Sequence, residues 1–141
     1  MKWSLSAGSI VLCAGLALTS LLAKAGDQAD VEMQRISFTK QIIPVLRMRC
    51  AVCHMTGTEP GSLRLFPAAA YDSLVGVKSA ATGKLLVSSS RPDDSYLLHK
   101  IRGTHLDVGG EGSRMPHGQE PLSQEVISLV EMWIEQGAER N

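Results

Sequence analysis

The chain has 141 residues, with 44% hydrophobic and 20% charged side chains, and its 14 basic residues balance its 14 acidic residues. Because the charges are mixed and form no basic run, nothing in the sequence indicates binding to a nucleic acid. The length suits one small domain and leaves no room for a second.

The first 25 residues have the layout of a secretory signal peptide. Lys2 gives a positive start, residues 3–22 carry no charge, and residues 23–25 read Ala-Lys-Ala, a small-residue cleavage site. An uncleaved membrane anchor is the alternative, since about 20 apolar residues can span a bilayer. Interspersed serine, threonine and glycine residues favour cleavage. We therefore predict that residues 1–25 are removed and that residues 26–141 form the mature domain, with no membrane span.

The first predicted helix leads into a cysteine motif. Between Val31 and Cys50 apolar residues recur with a spacing that suits a helix. Pro44 lies inside this pattern and lacks an amide hydrogen, so it either kinks one helix or divides two short ones. Ser37 is placed to cap a helix that begins at Phe38.

Residues 50–54 read Cys-Ala-Val-Cys-His, the spacing that attaches a c-type haem. The thiols of Cys50 and Cys53 would add across the haem vinyl groups, and His54 would become the proximal iron ligand. The second ring nitrogen of His54 is expected to donate to a backbone carbonyl of the following loop. Families known to use this motif attach haem c outside the bacterial cytoplasm, so one haem c agrees with a periplasmic or otherwise exported protein.

Two other interpretations of the cysteines are a dithiol redox site and a structural zinc site. A thioredoxin-like dithiol requires a βαβ context, which the residues after His54 do not indicate. A zinc site would need further ligands, and the only other cysteine, Cys13, lies in the segment predicted to be removed.

Two shorter helices are predicted in the middle of the chain, over residues 67–74 and 95–102, with a Ser- and Thr-rich loop between them. Asp93 or Asp94 is placed to cap the second of these helices. Gly103 is placed to end it.

A glycine-rich loop and a final helix complete the chain. Residues 104–121 contain four glycines, and long loops in compact domains are often functional. Ser123 is the predicted N-cap of the last helix, whose apolar residues recur at helical spacing as far as Ile134, and Gly137 is placed to end it. Strand content is predicted to be minimal, so the expected fold class is all-α.

The order and spacing of these pieces resemble the planctomycete-type cytochrome c domain. The resemblance covers about residues 37–138 and is carried by residues 38–46, 50–54, 61–65, 92–97, 114–116 and 122–138. It implies a small fold of the class I cytochrome c type, with N- and C-terminal helices packed around one covalently bound haem. A four-helix-bundle cytochrome would carry its haem motif near the C-terminus instead.

The resemblance also implies that Met115 is the second axial ligand of the haem iron. A thioether is a soft, neutral ligand that favours ferrous iron and raises the reduction potential. Pro116 stiffens the backbone beside it, and the upstream glycines allow a close approach to the haem face. Arg102 and Arg114 are candidates to pair with the haem propionates.

Three histidines compete with Met115 for the sixth position. His117 is two residues away and would give a bis-histidine haem, while His105 and His99 are further candidates. An empty sixth position would instead favour binding of a gas or a peroxide. The sequence Arg-Met-Pro at residues 114–116 favours Met115.

The function expected from these features is the transfer of single electrons between Fe(II) and Fe(III). No nucleophile–base pair or carboxylate pair stands out, so the protein is not expected to be an enzyme in its own right. It would dock briefly with redox partner proteins through small interfaces. The alternatives are a haem-containing subunit or a peroxidase-like enzyme module with a labile sixth site, and a module that uses haem to hold its fold.

Overall fold

The computed structural model describes residues 35–141, and over this range the protein is helical. It has four α-helices, namely α1 (Ile43–Arg49), α2 (Ala70–Leu74), α3 (Tyr96–Arg102) and α4 (Gln124–Glu135). Shorter helical turns comprise a π-helical turn at Phe38–Ile42 and 3₁₀ turns at Pro92–Asp94 and His105–Val108. The described residues contain no strand beyond isolated bridges, which confirms the all-α prediction for them.

Residues 1–34 fall outside the described range, and with them the predicted signal peptide (residues 1–25) and the predicted helix start at Val31. Across residues 35–141, none of the helices combines the length and the apolar character that crossing a membrane requires.

The first helical segment consists of the π-helical turn followed directly by α1. The side-chain oxygen of Ser37 accepts a hydrogen bond from the amide of Lys40 at 3.2 Å, which confirms Ser37 as the N-cap. Pro44 lies in the first turn of α1, where its missing amide hydrogen removes no helical hydrogen bond. Pro44 therefore marks the junction between the two helical forms.

This first segment packs against α4 through aromatic side chains. The ring of Phe38 stacks on Trp133 with centroids 5.2 Å apart, and Tyr71 meets Phe38 edge-on, also at 5.2 Å. Trp133 is 1% exposed, and its indole N–H donates to the carbonyl of Glu139 at 3.0 Å. Because the only polar atom of the indole has a partner, the ring can be buried without an unsatisfied donor.

Helix α3 begins differently from the sequence prediction. The predicted cap by Asp93 or Asp94 is wrong, because both residues lie in a 3₁₀ turn and Ser95 occupies the N-cap position. The hydroxyl of Ser95 donates a hydrogen bond to the carbonyl of Arg91, at 2.9 Å, and makes no capping bond to an amide of the helix. Gly103 ends the helix with φ at +87°, in the left-handed region that glycine adopts without strain.

The segment between α2 and α3 folds back on itself without forming a sheet. Val75 pairs with Val87 in a parallel bridge, and Lys78 pairs with Leu85 in an antiparallel one. The amide of Ser79 donates to the carbonyl of Lys84 at 2.8 Å. These bonds close a short hairpin-like loop whose tip contributes to the cavity described next.

Candidate functional site

The cysteine motif and the glycine-rich loop line the same cavity, which has a volume of about 660 Å³. Cys50, Cys53 and His54 contribute from the motif, and Met115 and His117 contribute from the loop. Pockets that hold cofactors and similar ligands usually measure roughly 300–1,000 Å³. The fold therefore brings the four predicted site residues, Cys50, Cys53, His54 and Met115, to one cavity of suitable size.

The walls of this cavity are largely apolar. Leu97 and Ile101 lie four residues apart on α3, so they line it from the same face of that helix. Further apolar lining comes from Leu63 and Leu65 in the loop after the motif and from Leu86 before α3, among others. An enclosure of this kind suits a large apolar group better than a small polar substrate.

The motif forms a tight turn where α1 ends. The amide of Cys50 donates to the carbonyl of Leu46 at 2.9 Å, and the amides of Cys53 and His54 donate to the carbonyl of Cys50 at 3.1 and 3.0 Å. The carbonyl of His54 accepts from the amide of Leu65 at 2.8 Å, which fastens the turn to the next segment. These bonds explain how both thiols and the imidazole reach one cavity.

The thiol of Cys50 does not have the character of the attacking thiol in a reactive dithiol site. Burial raises the pKa of Cys50 to about 11, although the nearby Arg49 acts in the opposite direction. Reactive Cys-x-x-Cys sites instead lower the pKa of their attacking thiol. Cys50 and Cys53 are both free. Over residues 35–141 no group of three or more histidine, cysteine or acidic side chains is placed to hold a metal ion, so a zinc site finds no support there.

His54 is held in a form that can act as a ligand. Its partial burial lowers its pKa, with Lys100 adding to this effect and Glu59 opposing it. A lowered pKa favours the neutral imidazole, which is the form that binds a metal. The expected hydrogen bond from the ring to a carbonyl of the following loop is absent, because Nδ1 is buried without a partner. The side chain is therefore not committed to another group.

The loop after His54 is organised by the carboxylate of Glu59. This carboxylate accepts hydrogen bonds from the amides of Thr56 and Gly57, at 3.1 and 2.9 Å, and from the hydroxyl of Thr56 at 2.9 Å. Hydrogen bonds from the backbone amides of Glu59 and Thr56 contribute most to lowering the pKa of Glu59, to about 2. The ionised carboxylate thus maintains the turn that follows the motif.

Met115 and His117 are the two candidate ligands that the glycine-rich loop brings to the cavity. Met115 is half-buried, and its amide donates to the carbonyl of Lys100 at 2.9 Å, which anchors the loop to α3. His117 is exposed but also lines the cavity. Both residues therefore satisfy the first requirement of a ligand, which is access to the bound group.

The other two histidines make contacts elsewhere in the fold. His99 uses both ring nitrogens, with Nδ1 at 2.9 Å from the hydroxyl of Thr104 and Nε2 at 3.0 Å from the carbonyl of Asp93. His105 is 3% exposed; its Nε2 lies 2.9 Å from the carbonyl of Gly112, and its Nδ1 is buried without a partner. Neither histidine lines the cavity. Their structural roles leave Met115 and His117 as the alternatives for the sixth position.

The cations at the cavity are not the ones that the sequence suggested. Arg102 forms an ion pair with Glu131 of α4 at 2.5 Å, and neither Arg102 nor Arg114 lines the cavity. Arg49 and Lys100 line it instead. Two sequence signals were overlooked: Arg49 directly precedes the motif, and Lys100 follows Leu97 by three residues on a helix, a spacing that places both on one face.

Comparisons of the chain with models of known protein families, with curated proteins and with solved structures find no match. A function for this chain therefore has to be inferred from its own residues and from the cavity that they line.

Proposed function

We propose that residues 26–141 form an exported mono-haem c-type cytochrome of the class I kind, which carries single electrons. The observation that supports this most strongly is the convergence of the Cys-x-x-Cys-His motif and Met115 on one apolar cavity of about 660 Å³. Bound there, haem c would supply an iron that exchanges one electron between Fe(III) and Fe(II). The resemblance to planctomycete-type cytochrome c domains points the same way.

Each site residue has a distinct task in this proposal. Cys50 and Cys53 would hold the porphyrin by thioether bonds, and His54, whose burial favours the neutral imidazole, would be one iron ligand. Met115 would supply the second protein ligand. The leucine-rich walls keep water away from the bound group, and exclusion of water is one of the ways in which proteins tune a reduction potential.

The site suits a carrier that docks transiently with redox partner proteins. Cys53 is exposed, and its neighbour Val52 is 71% exposed, so the motif side of the cavity is open to an approaching protein. Small and weak interfaces are typical of electron-transfer encounters. We propose no enzymatic activity for the protein itself and no binding to a nucleic acid.

A potentiometric titration of the protein, produced by export in a bacterium that matures c-type cytochromes, tests this function. We expect a reversible one-electron couple and, in the ferric state, the weak far-red absorption band of iron–sulfur ligation. The band should disappear in Met115→Ala and persist in Met132→Ala, because Met132 lies on α4 away from the cavity. Absence of any redox-dependent absorption would contradict the proposal.

Carbon monoxide distinguishes the carrier from a peroxidase-like module or an enzyme subunit with a labile sixth site. The reduced wild-type protein should not bind carbon monoxide, whereas Met115→Ala should bind it. Rapid binding by the wild type would favour the enzyme alternative. A ferric spectrum without the far-red band, changed by His117→Ala and unchanged by Met115→Ala, would assign the sixth position to His117.

A further inference from the structure

Two cations from different helices hydrogen-bond to the loop that carries Met115. Lys100 projects from α3, and Arg49 is the last residue of α1, immediately before the motif. Both line the cavity, and all of their side-chain hydrogen bonds are made to the segment over residues 111–120. This pattern differs from that of a solvated surface cation.

Lys100 holds the part of the loop that precedes Met115. Its ammonium donates to the carbonyl of Ser113 at 2.7 Å and to the carbonyl of Glu111 at 3.1 Å. Its own carbonyl accepts from the amide of Met115 at 2.9 Å. One residue of α3 therefore contacts three positions of the loop, and Met115 is one of them.

Arg49 holds the part of the loop that follows Met115. Its Nη2 donates to the carbonyl of Glu120 at 2.7 Å, and its Nε donates to the side-chain oxygen of Gln119 at 3.2 Å. Because Arg49 adjoins Cys50, these bonds join the loop directly to the segment that carries the motif.

The backbone of the loop contributes little to its own attachment. Across residues 111–121 of the described chain, only the amide of Met115 donates to a backbone carbonyl. Pro116 and Pro121 have no amide hydrogen to offer. The attachment of this segment therefore depends heavily on side-chain donors, and charged donors make the stronger hydrogen bonds.

We propose that Arg49 and Lys100 are positioning residues that hold the Met115 loop closed over the cavity. This inference rests on the proposed function, because Arg49 and Lys100 would control how often Met115 leaves a bound iron. Neither residue is a ligand. They act through the backbone on the two sides of Met115, so that loss of either one leaves the ligand present but less firmly held.

Displacement of Met115 by added imidazole in the haem-loaded ferric protein measures this control. The rate at which the far-red band disappears at saturating imidazole reports how fast the loop opens. Arg49→Ala and Lys100→Ala should each raise this rate roughly three- to tenfold, since partial exposure weakens a charge-assisted hydrogen bond. The double variant should raise it further.

Matched controls separate this effect from a general change in charge. Arg47→Ala removes a neighbouring cation from α1, and Lys40→Ala removes one from the π-helical turn; both residues are exposed, and neither lines the cavity. Neither control should alter the rate. Lys100→Arg keeps a cationic donor and should restore most of the wild-type behaviour. Arg49→Lys loses one of the two guanidinium donors and should restore only part of it.

Amide hydrogen exchange over residues 111–120 provides a readout that does not depend on redox activity. Exchange at Met115 should accelerate in Arg49→Ala and Lys100→Ala and should not change in the controls. If Arg49→Ala fails to acquire haem, the displacement and exchange rates of Lys100→Ala test the inference on their own, because Lys100 is remote in sequence from the motif. Wild-type displacement and exchange rates in both variants would overturn this inference while leaving the proposed function intact.

Absence of the far-red band from the wild-type protein has a different meaning. It would contradict the assignment of Met115 as a ligand, which belongs to the proposed function. Hydrogen exchange at residues 111–120 would then still decide whether the two cations hold the loop.

Discussion

Two regions of the molecule are built in different ways. One is the aromatic packing between the first helical segment and α4, and the other is the wall of the cavity. Phe38 and Trp133 are 3% and 1% exposed and complete each other's packing. Leu97, by contrast, lines the cavity and is only partly buried, although the next residue, Leu98, is fully buried. One region is closed by its own side chains, and the other presents an apolar surface that a bound group would cover.

The closed region should show the largest loss of stability on truncation. Trp133→Ala removes a buried ring stacked on Phe38 and is expected to lower the free energy of unfolding by about 3–5 kcal/mol. Chemical denaturation measures the change. Met132→Ala, on the same helix but 42% exposed, should stay within about 0.5 kcal/mol of wild type. Equal losses in both variants would remove the distinction between the two regions.

Adjacent leucines on α3 compare the two regions within one helix. Leu98→Ala should lower the free energy of unfolding by about 2–5 kcal/mol whether or not haem is attached, because Leu98 packs in the protein core. Leu97→Ala should lower the free energy of unfolding by less than about 1 kcal/mol in the haem-free protein and by about 2 kcal/mol in the haem-loaded protein. The difference arises because only a bound group completes the burial of Leu97. Denaturation of haem-loaded and haem-free protein measures both. The same cost for Leu97→Ala in the two forms would count against a cofactor in the cavity.

Neighbouring glycines test how tightly the glycine-rich loop approaches α3. A Cβ added at Gly110 would meet the carbonyl oxygen of His105 at 2.6 Å and would also collide with the hydroxyl of Tyr96. Gly110→Ala should therefore destabilise the protein by about 1–3 kcal/mol through displaced backbone. A Cβ added at Gly109 would enter open space. Gly109→Ala should therefore lower the free energy of unfolding by about 1–2 kcal/mol, from the backbone strain of φ at +79° alone. Tyr96 lines the cavity, so a shift of the haem absorption should accompany Gly110→Ala and not Gly109→Ala.

The smallest effect is expected at Glu59, which is partly exposed to solvent. A folded-state pKa of about 2, below the usual value of 4.5, means that its carboxylate favours the folded loop above about pH 4.5. That contribution should be lost as the pH falls towards 2. The amide resonances of Thr56 and Gly57, followed by nuclear magnetic resonance, should titrate with this carboxyl and lose the transition in Glu59→Gln. A midpoint near 4.5 would show that the turn does not depend on the ionised carboxylate.

The features that the sequence predicted correctly have local causes. Ser37 caps the first helical segment through an amide three residues away, and Gly103 ends α3 by adopting a left-handed conformation. Both depend on the geometry of one helix end, which short sequence patterns describe well. The turn of the Cys-x-x-Cys-His motif is also local, since the amides of Cys53 and His54 donate to the carbonyl of Cys50, whereas attachment of a haem there stays a prediction.

The features that sequence reasoning missed depend on contacts between distant segments. The N-cap of α3 is the exception, because its cause is local: Asp93 and Asp94 form a turn of their own, and Ser95 occupies the N-cap position. Arg49 was not singled out, since its partners lie about 70 positions further along the chain. Arg102 was considered for the haem propionates, but α4 brings Glu131 to it. Helix periodicity and motif spacing carry no information about such pairings.

The central claim is that Cys50 and Cys53 bind one haem covalently in the cavity that Met115 also lines. Mass spectrometry of the exported protein, digested so that residues 50–54 remain on one peptide, tests it most directly. The account predicts that this peptide is heavier by one haem, and that Cys50→Ser with Cys53→Ser abolishes the added mass. A peptide of unmodified mass from a host that matures other c-type cytochromes would contradict it.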